Sequence, residues 1–224
     1  YEGETRAEGD FALLKPLLQK GALPDSLVQW GRFAFSATLR GSLEKLDIPV
    51  LELKTAASTS LLGQAKLDIP SQNRPLAYAF QCQALQSSAE DLRPFIGTIT
   101  ELERMGPLNW SGLIKGNADS IFIDGSLQTA AGQLAPSLSL SFVGPIAYSG
   151  SLNVPSFNLG QVLAAPTLGE VSLNARFEGS GASPDNLIAN LQLDVQQAGY
   201  NGYTYRGLQI RAKAAQGVYE GSIS

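Results

Sequence analysis

Hydrophobic and polar residues alternate with a period of two along most of this chain. The clearest case is 167–195. Val171, Leu173, Ala175 and Phe177 alternate with Ser172, Asn174, Arg176 and Glu178; after Gly179-Ser180-Gly181 the pattern resumes with Leu187, Ala189, Leu191, Leu193 and Val195. Successive strand residues point to opposite faces, so this stretch predicts two strands sharing one apolar face and joined at the glycines. The pattern recurs at Phe33, Phe35, Ala37 and Leu39, at Leu51 and Leu53, at Leu61, Leu67 and Ile69, and at Tyr78, Phe80 and Cys82. It returns at Ile121, Ile123 and Leu127, at Leu138, Leu140 and Phe142, at Tyr148, Leu152 and Val154, and at Leu208, Ile210 and Ala212. Trp110 and Ile114 mark one more strand, 218–224 reads as the middle of another, and Asn201-Gly202 is a turn signal.

Short helical pieces interrupt the strands. The stretch 10–20 (DFALLKPLLQK) predicts an amphipathic helix capped by Asp10, with Phe11, Leu14, Leu17 and Leu18 on one face and Pro16 breaking it. Others are predicted at 24–30, 89–96 (AEDLRPFI) and 157–163 (FNLGQVL), while 1–9 carries no pattern. The expected organisation is a short helical lead-in over 1–29 and a strand-rich segment over 30–224, with helical insertions near 89–96 and 157–163. The helices at 10–20, 89–96 and 157–163 each lead into a strand ending at a glycine, Gly41, Gly116 and Gly179, spaced 75 and 63 residues apart. Such repetition predicts stacked modules.

A long sheet with one apolar face must cover it by closing into a barrel, packing as a sandwich, or curling around something apolar. Ten to twelve strands at ~4.8 Å spacing span about 50–60 Å, and flat they would expose far more apolar surface than a soluble monomer carries. Alternation predicts this lining: Phe33, Phe35 and Leu39; Leu51 and Leu53; Leu61, Leu67 and Ile69; Tyr78 and Phe80; Ile121, Ile123 and Leu127; Leu138, Leu140 and Phe142; Leu152; Val171, Leu173 and Phe177; Leu191, Leu193 and Val195. No polar pairs interrupt the set, so it suits acyl chains, which need burial and little directional bonding. A closed sandwich with the same residues as core is the competing reading.

Composition removes several chemistries. Net charge is −4 with no basic run, which argues against nucleic acid. The chain has one cysteine, Cys82, and no histidine, so an intramolecular disulfide, Cys/His zinc sites and histidine-based triads are excluded. Cys82 reads as a small packed hydrophobe. Glu101 with Glu103, or Asp119 with Asp124, read as solvated turn carboxylates rather than acid–base pairs, and Gly179-Ser180-Gly181 lacks the lysine of a phosphate loop. No enzymatic activity, metal or cofactor is expected. Trp30 and Trp110 read as core or rim residues, and the 10–20 helix as docked on the sheet rather than on a membrane. Asn109-Trp110-Ser111 matches a glycosylation sequon, and Asp25-Ser26-Leu27 and Asp119-Ser120-Ile121 match a bacterial O-glycosylation tripeptide; capped turns are the plainer reading of the latter two. No segment approaches the ~20 apolar residues of a membrane span, and the abrupt ends at Tyr1 and Ser224 read as those of an internal piece of a longer protein.

The order of helix FNLGQVL, then LGEVSLNARFEGSG with its Gly179-Ser180-Gly181 turn, then Tyr200-Asn201-Gly202-Tyr203-Thr204-Tyr205 resembles the periplasmic repeats of the TamB / AsmA-like family, with echoes at 33–46 and 110–127. The resemblance implies a β-taco: an all-β-dominated, long, curled antiparallel sheet forming a U-shaped groove with an apolar interior and a few short helices. It implies a segment of an envelope-spanning periplasmic protein of a didermic bacterium, anchored in the inner membrane outside this segment and meeting an Omp85-type outer-membrane barrel through other parts of the chain. It further implies that the groove carries phospholipid acyl chains between the membranes. The short helices depart from a continuous groove and must cap it or sit outside it. The alternative function is a β-rich periplasmic scaffold that assists outer-membrane protein assembly by strand addition, or a closed β-sandwich interaction module.

Overall fold

The computed structural model describes residues 2–14, 30–42, 44–68, 76–181, 183, 186–215 and 217–224. Most of them lie in antiparallel strands whose hydrogen-bonded order is the order of the chain, β1 to β13, with no crossover and no ladder joining the first strand to the last. This is the long open antiparallel sheet that the resemblance implies; alternation by itself left a barrel or a sandwich open. The chain divides into two compact units, Tyr1–Ser111 and Gly112–Ser224. The sequence places a break instead at 29/30.

The first unit holds β1 (Glu2–Asp10), α1 (Phe11–Leu14), β2 (Arg32–Gly41), β3 (Lys45–Thr55), β4 (Ser60–Asp68), β5 (Ala77–Ser87), α2 (Ala89–Ile96) and α3 (Thr100–Arg104); β6 (Leu108–Asn117) contains the boundary. The expectation that 1–29 is a helical lead-in is corrected at its start: β1 pairs with β2 over its whole length. Its positions opposite the apolar residues of β2 are Gly3, Thr5, Ala7 and Gly9, so it adds little apolar signal. The alternation that does mark it is charge, with Glu2, Glu4, Arg6, Glu8 and Asp10 on the other parity. Asp10 Oδ1 accepts a hydrogen bond from the Ala12 N–H at 2.9 Å, the capping contact expected of it. The rest of the 10–20 helix beyond Leu14, and the 24–30 helix up to Trp30, lie outside the described residues. α3 falls where Glu101 and Glu103 read as turn carboxylates; both lie on this short helix instead.

The second unit holds β7 (Ser120–Thr129), β8 (Gly132–Ser141), β9 (Ala147–Asn158), α4 (Leu159–Leu163), β10 (Leu168–Ser180), β11 (Ile188–Tyr200), β12 (Tyr203–Ala215) and β13 (Val218–Ile223). The helix predicted at 157–163 begins two residues later, because Phe157 and Asn158 finish β9; Asn158 Oδ1 then caps it by accepting from the Gln161 N–H at 2.9 Å. The predicted glycine turn also shifts. Gly179 and Ser180 belong to β10, and the chain turns from Gly181, at φ 87°. Asn201 and Gly202 do make the tight β11–β12 turn, both with positive φ (49° and 77°), the primed hairpin geometry. In chain order the described elements after β1 fall into three groups of four strands, β2–β5 after α1, β6–β9 after α2 and α3, and β10–β13 after α4, and the recurrent glycines close or nearly close the first strand of each group.

Two of the three prolines inside these strands sit at irregularities of the ladders, whereas Pro136 of β8 pairs with Leu152 beyond the shift between Gln133 and Ala135. Pro49 lies in the register shift between Ile48 and Leu51, and Pro155 opposite the shift between Val171 and Leu173. Proline has no N–H to give to a ladder, so a bulge is where an inner strand tolerates it.

Candidate apolar binding face

The registers gather the predicted lining onto one face within each unit. In the first, one row runs Phe35, Leu53, Leu61 and Leu85, the next Ala37, Leu51, Gly63 and Cys82, and another Ile48, Ala65 and Phe80. Phe33 and Leu39 share that parity on β2, and Leu67 pairs with Tyr78. Ile69 lies outside the described residues. In the second unit one row runs Ile121, Leu140, Tyr148, Gly179, Ala189 and Ala214. The next runs Ile123, Leu138, Gly150, Phe177, Leu191 and Ala212, and a third Pro136, Leu152, Ala175, Leu193 and Ile210. Leu173 is flanked by Val154 and Val195, Val171 pairs with Phe157, and Leu127 pairs with Leu134. Phe142 is the one described lining residue beyond a strand: it follows the end of β8 and is exposed.

Four aromatic rings of this face lie against glycines on neighbouring strands. A Cβ placed on Gly9 or Gly150 would meet the rings of Phe33 (3.5 Å) and Phe177 (3.2 Å); on Gly63 or Gly179 it would meet those of Phe80 (2.8 Å) and Tyr148 (2.8 Å). The glycines give the rings room to lie across the sheet.

Burial is graded along the strands. In the second unit Val154, Phe157, Val171 and Val195 are buried at one end, where α4 packs against β10 and inserts Val162. The remaining lining residues, Ile121, Ile123, Leu127, Leu138, Leu140, Leu152, Leu173, Phe177, Leu191 and Leu193, are half-buried. The first unit is similar. Phe11 of α1 stacks on Phe33 (centroids 4.4 Å) and meets Trp30 edge-on (6.3 Å), and the Trp30 Nε1–H donates to the Asp91 carbonyl of α2 at 2.8 Å. Phe35, Leu39, Leu51, Leu53, Leu61, Leu67, Tyr78 and Phe80 are half-buried. In each unit helical pieces cover one end of the face.

Asp91 fastens α2. Its carboxylate accepts from Ser58 Oγ at 2.6 Å and Thr59 Oγ1 at 3.0 Å, and the buried Thr59 and Ser87 hydroxyls bond each other at 2.8 Å. Asp91→Ala strips the acceptor from this pair and is expected to lower the stability of the first unit by about 1–3 kcal/mol in urea titration. A cavity of about 730 Å³ adjoins this site, lined by Ser58, Ser88, Arg93, Glu103 and Asn109 among others.

Cys82 is buried in the first unit, 1% exposed, with Sγ 3.9 Å from Leu62 O and 3.8 Å from Trp110 O. Burial pushes the thiol up from 9.0 to about 11, against a smaller opposing effect of a backbone hydrogen bond at Ala84. The unfolded chain therefore loses this proton first. The contribution to stability is intact below pH 9.0 and is lost as pH rises toward about 11. The folded protein is expected to resist thiol reagents at pH 8 and the urea-unfolded protein to react at once; rapid native labelling would contradict the burial.

The opposite face is polar. Asn153 Nδ2 donates to Asn174 Oδ1 at 2.6 Å and Asn190 Nδ2 to Glu178 Oε1 at 3.2 Å. Two shallow depressions of about 520 and 360 Å³ lie on this side of β8–β11, lined by Ser139, Ser149, Arg176, Glu178 and Asn190. No cluster of metal-ligating side chains occurs among the described residues. Asp119-Ser120 forms the β6–β7 turn, where Asn117 Oδ1 accepts from both N–H groups at 2.8 and 2.9 Å. Asp25-Ser26-Leu27 lies outside the described residues.

Alternation alone misses several residues of the face. Leu46 and Ile48 have opposite parity to Leu51 and Leu53, and Leu85 to Cys82, because register shifts intervene. Pro49 is the sequence signal for the first shift; the second has none. Compared with protein-family models, curated proteins and solved structures, the chain matches none.

Proposed function

We propose that this chain is a non-enzymatic segment of an envelope-spanning periplasmic protein of the TamB / AsmA-like kind, whose apolar face holds phospholipid acyl chains in passage between inner and outer membranes. The anchor in the inner membrane and the contact with an Omp85-type barrel belong to other parts of such a protein. The observation that carries this reading is the half-buried state of the lining. Apolar rows run across the strands of each unit, yet their large side chains are buried only toward the helix-covered ends; elsewhere the buried residues are the small Ala37, Ala65, Cys82 and Ala175, and the Leu, Ile and Phe side chains between them stay half-buried. A closed sandwich would bury the rows throughout. Acyl chains fit such a face because burial of CH₂ groups contributes about 0.8 kcal/mol each without directional bonds.

The reading is tested with a phospholipid carrying a fluorescent acyl chain, titrated into the protein without detergent. Saturable binding is expected, weakened about ten-fold or more by a glutamate at Leu140 or Leu191. Leu173 is a poorer position because it sits between the buried Val154 and Val195. Binding that ignores both substitutions in folded protein would sink the proposal.

A further inference from the structure

In the second unit, the end of the apolar face away from α4 carries an apolar hairpin loop. Ser141 and Ala147 form the last β8–β9 pair, and Phe142-Val143-Gly144-Pro145-Ile146 joins them. Loops are ordinarily polar, yet none of these five residues has a polar side chain, and Phe142, Val143 and Ile146 are 42%, 69% and 42% exposed. The base of the loop is fixed on both sides. The Phe142 N–H donates to the Asp119 carbonyl at 2.8 Å, and the Gly181 N–H donates to the Ile146 carbonyl at 2.9 Å. These bonds extend the β7–β8 and β9–β10 ladders by one residue, so Phe142 and Ile146 keep the side of Leu140 and Tyr148, two positions along each strand. At the apex Gly144 has φ 75°, and a Cβ there would meet nothing within 4 Å. The apolar face therefore runs from the half-buried Leu140 out to the exposed Val143 with no polar rim between.

We infer that this hairpin is a lip that enters a lipid surface, and that acyl chains pass over it to reach the apolar face of the second unit. The inference rests on the acyl-chain reading and adds the route. Exposed apolar clusters mark protein or membrane contacts, and size decides between them. A stable protein interface takes about 800 Å² from each partner, with matched shapes, more than a five-residue tip presents. A bilayer needs no matching shape; it accepts protruding apolar groups and penalises unpaired polar ones. The two ladder bonds at the base satisfy an N–H and a C=O that would otherwise enter it unpaired, and Pro145 has no N–H to satisfy. Charge narrows the lipid. The loop has none, Asp119 stands beside its base, and the chain is −4 overall, so zwitterionic bilayers suit it and anionic ones gain nothing.

The test is flotation with phosphatidylcholine vesicles that carry a fluorescent-acyl phospholipid at self-quenching density, read together with the dequenching that follows uptake by the protein. The wild-type chain is expected to float and to dequench the probe, with little dependence on salt. Val143→Asp/Ile146→Asp is expected to lower both about ten-fold or more, and Val143→Trp to raise the vesicle-bound fraction. Val143 and Ile146 are exposed, so an unchanged circular dichroism spectrum is expected of both variants. The aspartate variant should still bind the same phospholipid presented as monomer without vesicles, because Leu140 and Leu191 are untouched. A wild-type chain that does not float, or uptake that ignores the aspartates, with monomer binding intact, would overturn the lip and leave the acyl-chain reading standing. A wild-type chain that floats but neither binds the monomer nor takes lipid up would overturn the acyl-chain reading itself, and the route with it.

Discussion

Val154→Asp is expected to unfold the second unit, while Leu191→Asp leaves it folded. Both side chains belong to the same apolar face, Val154 beside Leu173 and Leu191 beside Phe177. Val154 is 4% exposed, at the end covered by α4, and Leu191 is half-buried. An unpaired charge at Val154 has neither water nor a partner and costs about 3–5 kcal/mol, a large part of the roughly 5–15 kcal/mol that keeps a domain folded. At Leu191 water reaches the carboxylate, and the loss is the apolar contact alone, about 1–2 kcal/mol. Urea titrations followed by far-UV circular dichroism separate the two. Equal, severe losses would mean that the whole face is a closed core.

The second large effect lies in the first unit. A Cβ on Gly63 would stand 2.7 Å from the Gln81 carbonyl oxygen and 2.8 Å from the Phe80 ring. Gly63→Val must therefore push strands β4 and β5 apart or expel the ring, at about 3 kcal/mol or more. Shortening Phe80 to Leu in the same chain relieves the ring contact but not the carbonyl contact. The double variant is expected to recover part of the loss, with a coupling of about 1 kcal/mol in a double-mutant cycle. Strict additivity would mean that the ring does not lie over the glycine.

These two sites also mark how far the sequence could be read. Alternation of Val171, Leu173 and Phe177 with Asn174, Arg176 and Glu178 is enough to place β10 and its faces, because a two-residue period has one structural meaning. The same holds for Leu191 and Leu193, and for Phe33 and Phe35. β1 escapes because its sheet-facing positions are Gly, Thr and Ala, and hydrophobicity is silent where large neighbours fill the space. Leu46, Ile48 and Leu85 escape because a bulge reverses parity while leaving the composition unchanged. The ring-over-glycine contacts of Phe80, Phe177 and Tyr148 depend on which residues meet across strands, and register is a property of pairs of strands rather than of either alone. That helices cover one end of each face follows from the long-range contacts of Phe11, Trp30, Asp91 and Val162. The helical pieces at 89–96 and 157–163 were visible in the sequence; their docking was not.

The central claim is that the uncovered part of the apolar face holds acyl chains. The most direct measurement is to purify the protein from cells without detergent, extract it with organic solvent and identify lipids by mass spectrometry. Phospholipid near or above equimolar amount, falling sharply in folded Leu140→Glu and Leu191→Glu proteins, is the predicted result. Stable, folded, lipid-free protein that takes up no phospholipid would contradict it.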